Sequence, residues 1–357
     1  MAYTTINKSS EHFTVTTWTG DSTTPKTFTT GTFKPDWLWG KNRSKTYNHQ
    51  VYDTTRGAGN NKELETSTTG AEGASNPETY GYVSAFTSTG FTATRGTDGT
   101  GDDYWNESPD NYVAWTWKAN GGTTSSNSNG TITSTVQANT TAGFSIVTYT
   151  GSGSETTVGH GLGAVPNMII TKRRSGANNW RVYHSSLASH DAYLSLNATD
   201  ASSTSGSTWS SSAPTNQVFR PGTDSAVNGN GETYVAYCFA EKTGYSKFSS
   251  YTGNGNADGT FVYTGFKPAF ILLKCTSTTG QNWVNLDNKR DGFNPDNDRL
   301  FADSNSAESD TDVVDLLSNG FKHRFTGNTT NGSHTYIYMA FAEAPLVGTN
   351  NVPATAR

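Results

Sequence analysis

Two Asp-x-x-Arg motifs contain side chains that could do chemistry on a bound ligand. Asp53-Thr-Thr-Arg56 and Asp287-Asn-Lys-Arg290 each follow a short apolar run, at corresponding places in the chain. A carboxylate beside a guanidinium can bind a sugar hydroxyl or take part in hydrolysis, but the same spacing also closes a turn with an ion pair. A third corresponding place holds His184 instead, so the chain does without the pair there. We therefore interpret both motifs as turn-closing ion pairs.

Recognisable catalytic motifs are missing from the sequence. It contains no Gly-x-Ser-x-Gly elbow, no His-Glu-x-x-His and no phosphate-binding Walker loop. The glycines in residues 158–166 do not have the dinucleotide-binding spacing, and they precede a proline as turn residues do. We therefore predict that the protein is not an enzyme and has no catalytic residues.

Metal ligands are equally sparse. Residues 97–110 and 287–299 form acidic loops whose oxygens could bind Ca²⁺, but neither has the spacing of an EF-hand. Cys238 and Cys275 lie in apolar runs without a Cys or His at ligand spacing, as buried free thiols do. We predict no cofactor and no metal site, with calcium in an acidic loop as the alternative.

The composition of the 357 residues favours an all-β protein. Hydrophobic residues make up 32% of the chain and aromatic residues 12%, so large rings can fill several small cores. A net charge of −5 argues against a nucleic-acid-binding protein. The one compact basic cluster, residues 172–174, is interpreted as a solvated strand end.

A repeated pattern organises the chain. Three prolines each stand six residues before a lysine: Pro35 and Lys41, Pro166 and Lys172, Pro268 and Lys274. Three matching runs, residues 111–119, 233–241 and 335–343, alternate bulky and small side chains as strands do. The bulky set predicts a buried face: Val113, Trp115, Trp117, Val235, Tyr237, Phe239, Ile337, Met339 and Phe341.

These markers divide the chain into three similar segments. We predict an N-terminal segment (1–11), repeats at 12–121, 143–243 and 244–346, a Ser/Thr/Gly-rich linker with a short strand (122–142) and a C-terminal tail (347–357). About a hundred residues with several short strands predicts a two-sheet antiparallel sandwich. The expected fold class is all-β, with three tandem antiparallel β-sandwich units of the jelly-roll or concanavalin-like kind.

Three phrases carry a resemblance to a known group of proteins. "YTGNGNADGTFVYTGFKPAF", "LLSNGFK" and "GSHTYIYMAFAEAP" resemble a repeat found in virion proteins of tailed marine bacteriophages. The resemblance covers nearly the whole chain, is strongest in the third repeat, and has no catalytic motif attached to it. It implies a lectin-like protein of the tail fibre, tail tip or particle surface.

The function expected from this resemblance is adhesion to glycan on the host cell. Tyr104, Trp105 and Trp209 are the candidate glycan contacts, because they lie in stretches found in one repeat only. The expected partners are other virion proteins, host surface polysaccharide and copies of the same chain, with a homotrimer as the natural guess. The N-terminus has no secretory signal, so we expect synthesis in the host cytoplasm and residence in the virion, without membrane insertion or nucleic-acid binding. The alternatives are a structural capsid-decoration or tail-assembly protein and, less favoured, a polysaccharide depolymerase.

Overall fold

The computed structural model describes residues 4–75, 77–97, 104–290 and 293–347, and these residues are almost entirely β. The helical elements of this part are short: a 3₁₀ turn (Ser9–Glu11), α1 (Pro77–Tyr80) and α2 (Ser225–Asn228). None of the helices in this part has the length and apolar character of a membrane span. The all-β composition prediction is confirmed.

The strands fall into three groups along the chain. The first segment (residues 12–121) contains β1 (Phe13–Thr19), β2 (Lys26–Thr29), β3 (Trp37–Asn42), β4 (Gln50–Asp53), β5 (Leu64–Glu65), β6 (Tyr82–Phe86), β7 (Gly90–Thr94) and β8 (Asn111–Trp117). Between the first and second segments lie β9 (Ser125–Asn127) and β10 (Ser134–Asn139). The second segment (143–243) contains β11 (Phe144–Thr150), β12 (Val158–Gly159), β13 (Met168–Arg173), β14 (Arg181–His184), β15 (Ala192–Ser195), β16 (Ser203–Thr204), β17 (Val218–Phe219) and β18 (Thr233–Phe239). The third segment (244–346) contains β19 (Ser246–Thr252), β20 (Phe261–Tyr263), β21 (Phe266–Cys275), β22 (Val284–Asp287), β23 (Asp296–Phe301), β24 (Ser309–Leu317), β25 (Gly320–His323) and β26 (Thr335–Pro345).

One order of five antiparallel strands occurs in each segment. It reads β1-β8-β3-β4-β5 in the first segment, β11-β18-β13-β14-β15 in the second and β19-β26-β21-β22-β23 in the third. We call these the main sheets. Smaller β layers accompany them: β2-β7-β6 in the first segment, β12-β17 in the second, and β24-β25-β20 as a continuation of the third main sheet.

The central strands of each main sheet are buried on both faces. On one face the small side chains, such as Ala114, Ala236 and Ala340, pack against the smaller β layer of the same segment. The other face carries the bulky side chains of β8, β18 and β26, which the sequence predicted to be buried, and they are. A strand with two buried faces reads as an almost continuous apolar run, as these three do.

The bulky faces of all three main sheets meet in one hydrophobic cluster, which we call the central core. Trp117 and Phe239, one from each of the first two segments, both contact Phe341 of the third, with ring centroids 5.6 and 6.0 Å apart. The alternating pattern predicted burial correctly. It did not show that the burial is between segments. The bulky face of each main sheet is covered by the other two segments and not by residues of its own segment.

Hydrogen bonds close the three segments into a ring. Trp180 Nε1 of the second segment donates to the Glu65 carbonyl of the first (2.8 Å), and Trp283 Nε1 of the third donates to the Ser195 carbonyl of the second (2.9 Å). Thr66 of the first segment donates to the Ala302 carbonyl of the third (2.6 Å). The three segments therefore surround the central core, each hydrogen-bonded to the other two.

The stretch interpreted as a linker, residues 122–142, contains two strands that extend the second main sheet beyond β11. β10 pairs with β11 along its length and β9 pairs with β10. Gln137 of β10 is buried against the first segment. The expected added strand is present, and the stretch fixes two segments together.

Candidate functional site

The two Asp-x-x-Arg motifs form ion pairs inside the protein. Arg56 Nε lies 2.5 Å from Asp53 Oδ2, and Arg290 Nε lies 2.6 Å from Asp287 Oδ2, with all four side chains removed from solvent. Each Asp also accepts backbone N–H groups of the turn that follows it. The ion-pair interpretation holds, but the pairs are buried. They are therefore unavailable to a polysaccharide.

Each buried aspartate also binds an aromatic side chain of another segment. Tyr237 of the second segment donates its hydroxyl to Asp53 Oδ2 (2.8 Å), and Trp115 of the first donates Nε1–H to Asp287 Oδ2 (2.9 Å). Tyr237 and Trp115 occupy equivalent positions in β18 and β8. The ion pairs thus join neighbouring segments at the rim of the central core.

The third such place shows why a histidine replaces the aspartate. The position of β26 that corresponds to Trp115 and Tyr237 is Met339, which has no hydrogen-bond donor. His184 lies next to it, with Nε2 3.2 Å from the Tyr338 carbonyl. Burial lowers the pKa of His184 to about 4, so the ring is neutral at physiological pH. A neutral ring needs no cation and no aromatic donor beside it.

The lysine of each Pro-x₅-Lys motif is buried as well, which corrects the expectation of a solvated basic cluster at residues 172–174. Lys172 Nζ donates to the carbonyls of Asn178 (2.8 Å) and Thr69 (3.0 Å), the latter in the first segment. Arg173 and Arg174, which follow it, are paired with acidic side chains. Burial lowers the pKa of Lys172 to about 7. Lys172 therefore ties the second segment to the first, and Lys274 Nζ reaches the Thr199 carbonyl of the second segment (3.4 Å). Lys41 donates within its own segment, to the Asn42 and Lys45 carbonyls.

Tyr104 and Trp105, predicted to contact glycan, lie inside the first segment, 5% and 0% exposed. The Trp105 ring lies over Gly40, where a Cβ atom would come within 2.4 Å of it. In the other segments the position of Gly40 holds Thr171 and Leu273. Trp105 thus fills the space of the missing side chain, and neither ring presents a face for sugar stacking. A glycine inside a strand was the sequence signal for this close approach.

Trp209, the third candidate, is 3% exposed and belongs to the hydrophobic cluster between the second main sheet and its smaller β layer. Its ring packs edge-on against Tyr183, with centroids 6.3 Å apart, and its backbone bridges to Pro221. The loop around Trp209 therefore covers its own sheet. The structure corrects the interpretation of all three rings as exposed contacts, because each supplies apolar area that its segment needs for a core.

Two further carboxylates of the first segment are buried. Glu65 accepts hydrogen bonds from Gln50 Nε2 and Asn48 Nδ2, both at 2.9 Å, and Glu63 accepts from the Ser75 N–H at 2.9 Å. Burial raises the pKa of Glu63 to about 8. The side chains lie under the surface, so a polymer substrate does not reach them.

The acidic loops are only partly described, since residues 98–103 and 291–292 lie outside the described ranges. In the part that is described, no cluster of three or more His, Cys, Asp or Glu side chains is arranged to hold a metal ion. Asp287 is engaged by Arg290 and Trp115. Cys238 and Cys275 are free and buried, as expected.

Exposed aromatic side chains of the described residues lie elsewhere: Phe293, 82% exposed, lies in the loop before β23, and two others lie on β20. Phe261 is 44% exposed and Tyr263 is 53% exposed, while Val262 between them is buried. Among the strands of the described residues, β20 is the last of its sheet and pairs with β25 alone, so the two rings stand on the outer face of an edge strand.

A groove of about 200 Å³ adjoins Tyr263. Two stretches line the groove: one is Tyr263, Thr264 and Gly265, and the other is Glu241, Thr243, Gly244, Ser246 and Lys247. Glu241 and Lys247 form an ion pair there at 2.8 Å and remain partly exposed. The groove therefore combines an open aromatic ring with a carboxylate, an ammonium group and hydroxyls, which are groups suited to binding sugar hydroxyls.

A comparison with protein families matches residues 8–345 to a domain of unknown function, DUF7483. The chain belongs to the DUF7483 family. No curated protein matches the chain. The DUF7483 match runs through all three segments without a break, as the shared central core does.

Within this DUF7483 domain the two exposed rings of β20 are specific to the third segment. Val262, between the two rings, pairs with Phe321. The equivalent pairs are Phe28 with Phe91 in the first segment and Val158 with Phe219 in the second. The positions that flank them are Phe261 and Tyr263 in the third segment, Thr27 and Thr29 in the first, Thr157 and Gly159 in the second. The alternation in "TFVYT" was the sequence signal, since a period of two places both rings on one face.

Proposed function

We propose that this DUF7483 protein is an adhesion protein of a bacteriophage particle, located in the tail fibre or tail tip, that binds host surface glycan through Phe261, Tyr263 and the adjoining groove. The observation that carries the proposal is the pair of exposed rings beside a polar groove. Sugar rings present C–H faces that pack on aromatic side chains, and their hydroxyls bind carboxylates and amines.

The three segments fit the proposal as three tandem β-sandwich units on a common core. The same five-strand order recurs, and each main sheet has a second β layer with its own hydrophobic cluster. A scaffold of this kind can vary edge strands and loops of one unit without altering the others. The aromatic edge of the third unit is such a variation.

The proposed setting is the virion, with other virion proteins and host polysaccharide as partners. The resemblance of the sequence to phage virion repeats supports it. The central core is completed within one chain, so a homotrimer would be built through outer surfaces, and several weak glycan sites would then reinforce one another.

The test is binding of the purified chain to susceptible host cells and to an array of bacterial surface polysaccharides. The double variant Phe261→Thr, Tyr263→Thr carries the residue type found at the equivalent places of the first segment. We expect it to lose binding at least about tenfold, since two stacking contacts disappear. Val165→Thr, which alters a side chain 51% exposed in the second segment, is the matched control and should bind normally. If the wild type binds no polysaccharide and no host cell, the adhesion proposal fails. Undiminished binding by the double variant would reject the site.

A further inference from the structure

The three junctions of the ring are built on equivalent positions, but they are filled differently. At the first junction, between the first and second segments, β10 lies along β11. Gln137 projects from β10 into the junction and donates Nε2–H to the hydroxyls of Thr54 and Thr55, both at 2.9 Å. Its carbonyl accepts from the backbone N–H groups of Asn120 (3.1 Å) and Gly122 (2.8 Å). An added strand and its amide side chain thus seal this junction.

At the second junction, between the second and third segments, a side chain takes over this role. Glu241 Oε2 accepts from the Phe248 N–H of β19 (3.3 Å), and Oε1 accepts from Lys247 Nζ (2.8 Å). Phe248 pairs with Met339 of β26, and Ile146 of β11 pairs with Tyr237 at the equivalent position of β18. The hydrogen bond from the Phe248 N–H therefore lies at the position of the β19 edge that corresponds to the β11 edge paired with β10. The carboxylate therefore occupies the outer edge of β19.

The third junction, between the third and first segments, is open. A pocket of about 130 Å³ lies there, between β1 and residues 288–289. Asn288 and Lys289 follow Asp287 as Thr54 and Thr55 follow Asp53, so they hold the places of the Gln137 partners. Val15 also lines the pocket, and it pairs with Trp115 as Ile146 pairs with Tyr237. Val15 is therefore the equivalent of Ile146, which is the residue that pairs with Gln137.

Two differences from the other junctions, one substitution and one change of ion-pair partner, explain why this junction is not filled. The residue after the repeat proline is Asp36 in the first segment and Asn167 in the second, but Ala269 in the third, where the smaller side chain leaves space. Glu343, which holds the place of Glu241, forms an ion pair with Lys267 at 3.0 Å. Among the described residues, no strand pairs with the outer edge of β1.

We infer that the outer edge of β1 and this pocket are a docking site for an extended strand of another polypeptide. The strand adds antiparallel to β1, as β10 adds to β11, and places a glutamine side chain between Lys289 and Val15. Backbone hydrogen bonds along an open sheet edge give such a contact its affinity, and the pocket selects the side chain. An assembly partner in the particle with a short, polar strand of the "STVQAN" kind fits this site.

The experiment uses the full chain and a labelled peptide that copies residues 131–141, with binding followed by fluorescence anisotropy. The peptide's own place on β11 is occupied by β10, so the free equivalent is the edge of β1. We expect one peptide per chain, and at least about tenfold weaker binding when alanine replaces the glutamine that copies Gln137, because the amide loses its partners.

Two protein variants locate the binding. Phe248 donates its N–H outward from β19, and the alternation of the pleat places the N–H of Thr17 on the corresponding side of β1, away from β8. Thr17→Pro removes this N–H, and edge strands tolerate such a proline. Ala269→Leu fills the pocket with a side chain about as large as the Asn167 found in the second segment. Both should weaken peptide binding at least about tenfold and leave glycan binding through Tyr263 unchanged.

Absence of peptide binding, or binding that neither variant weakens, would overturn the inference. Self-association of the chain that the peptide reverses would also overturn it, because a second copy would then be the natural occupant. Sedimentation equilibrium with and without the peptide distinguishes that case.

Discussion

The hydroxyl of Tyr237 donates a hydrogen bond to Oδ2 of Asp53, 2.8 Å away and one segment removed, and neither side chain reaches solvent. The same carboxylate holds Arg56, so three polar groups from two segments satisfy one another at the rim of the central core. Trp115, Asp287 and Arg290 repeat the arrangement between the first and third segments. Buried charge in this protein serves the assembly of segments.

Tyr237→Phe should lower the free energy of unfolding by about 1–3 kcal/mol, because it leaves a buried carboxylate short of one donor. Urea unfolding followed by tryptophan fluorescence measures the change. Tyr263→Phe removes a hydroxyl from an exposed ring and is the matched control, with an expected change below about 0.5 kcal/mol. Equal effects of the two substitutions would show that the Asp53 contact does not stabilise the fold.

His184→Asp should destabilise the protein by about 3 kcal/mol or more, although aspartate is the residue at the two equivalent places. The reason is the neighbourhood: Met339 offers no donor, and Leu187 stands where Arg56 and Arg290 stand. Adding Met339→Tyr to His184→Asp should recover part of the loss, as Tyr237 supports Asp53. Unfolding of the single and double variants in urea gives the comparison, and an additive double variant would contradict the explanation.

The buried lysines should make stability depend on pH above neutrality. Burial lowers the pKa of Lys41 and Lys172 to about 7 and that of Lys274 to about 8, from an ordinary 10.5. At a pH between the lowered pKa of each lysine and the ordinary value of 10.5, the lysine is protonated in the unfolded chain and neutral in the folded chain. Unfolding therefore takes up protons in this range, and the free energy of unfolding rises with pH. As the pH falls towards 7 this contribution is lost, at about 1.4 kcal/mol per pH unit for each lysine.

Lys172→Met isolates one of these lysines. It removes the donor to the Thr69 and Asn178 carbonyls, which costs the same at every pH, and it removes the titration. The stability of the variant relative to the wild type should therefore decline as the pH is raised from about 7 to 10. A relative stability that stays constant over this range would show that Lys172 titrates normally.

The sequence predicted the strands well because their causes are local. The β-forming composition, the turn glycines and the alternation in β8, β18 and β26 depend on near neighbours, and the predicted buried face is buried. The partner of that face could not be predicted, because period-two alternation reports that a face is covered and not by what. Ion pairs with ordinary turn spacing became buried contacts between segments for the same reason.

The prediction of the candidate site was wrong at the aromatic residues for a related reason. Trp105 and Trp209 belong to loops found in one segment only, which suggested recognition, but a loop specific to one segment can also complete that segment's core. Gly40 was the available sign for Trp105. Phe261 and Tyr263 are recognisable once their exposure is known, since both neighbouring segments carry small residues at these places.

Gly40 and Trp105 should behave as a coupled pair. Gly40→Leu introduces the residue found as Leu273 in the third segment, and it should destabilise the protein because its Cβ meets the indole ring. Trp105→Ala should cost about 3–5 kcal/mol through the cavity it creates. Combined, the two should cost less than the sum of the single effects by about 1 kcal/mol or more, because the leucine enters the vacated space. Urea unfolding of the four proteins completes the cycle, and additive effects would contradict the close packing.

The three segments should unfold together. Each main sheet has one face in the central core, so a segment that separates exposes rings such as Trp117, Phe239 or Phe341 to water. Calorimetry of the whole chain should therefore show one transition, with equal calorimetric and van't Hoff enthalpies. A fragment of residues 244–357 should remain unfolded, or should fold only by associating so that this face is covered. Three separate transitions, or a stable monomeric fragment with native near-ultraviolet circular dichroism, would show that the segments are independent domains. Tyr237→Phe in the whole chain is the internal control: it should lower the temperature of the single transition without splitting it, because the bond it removes lies between segments.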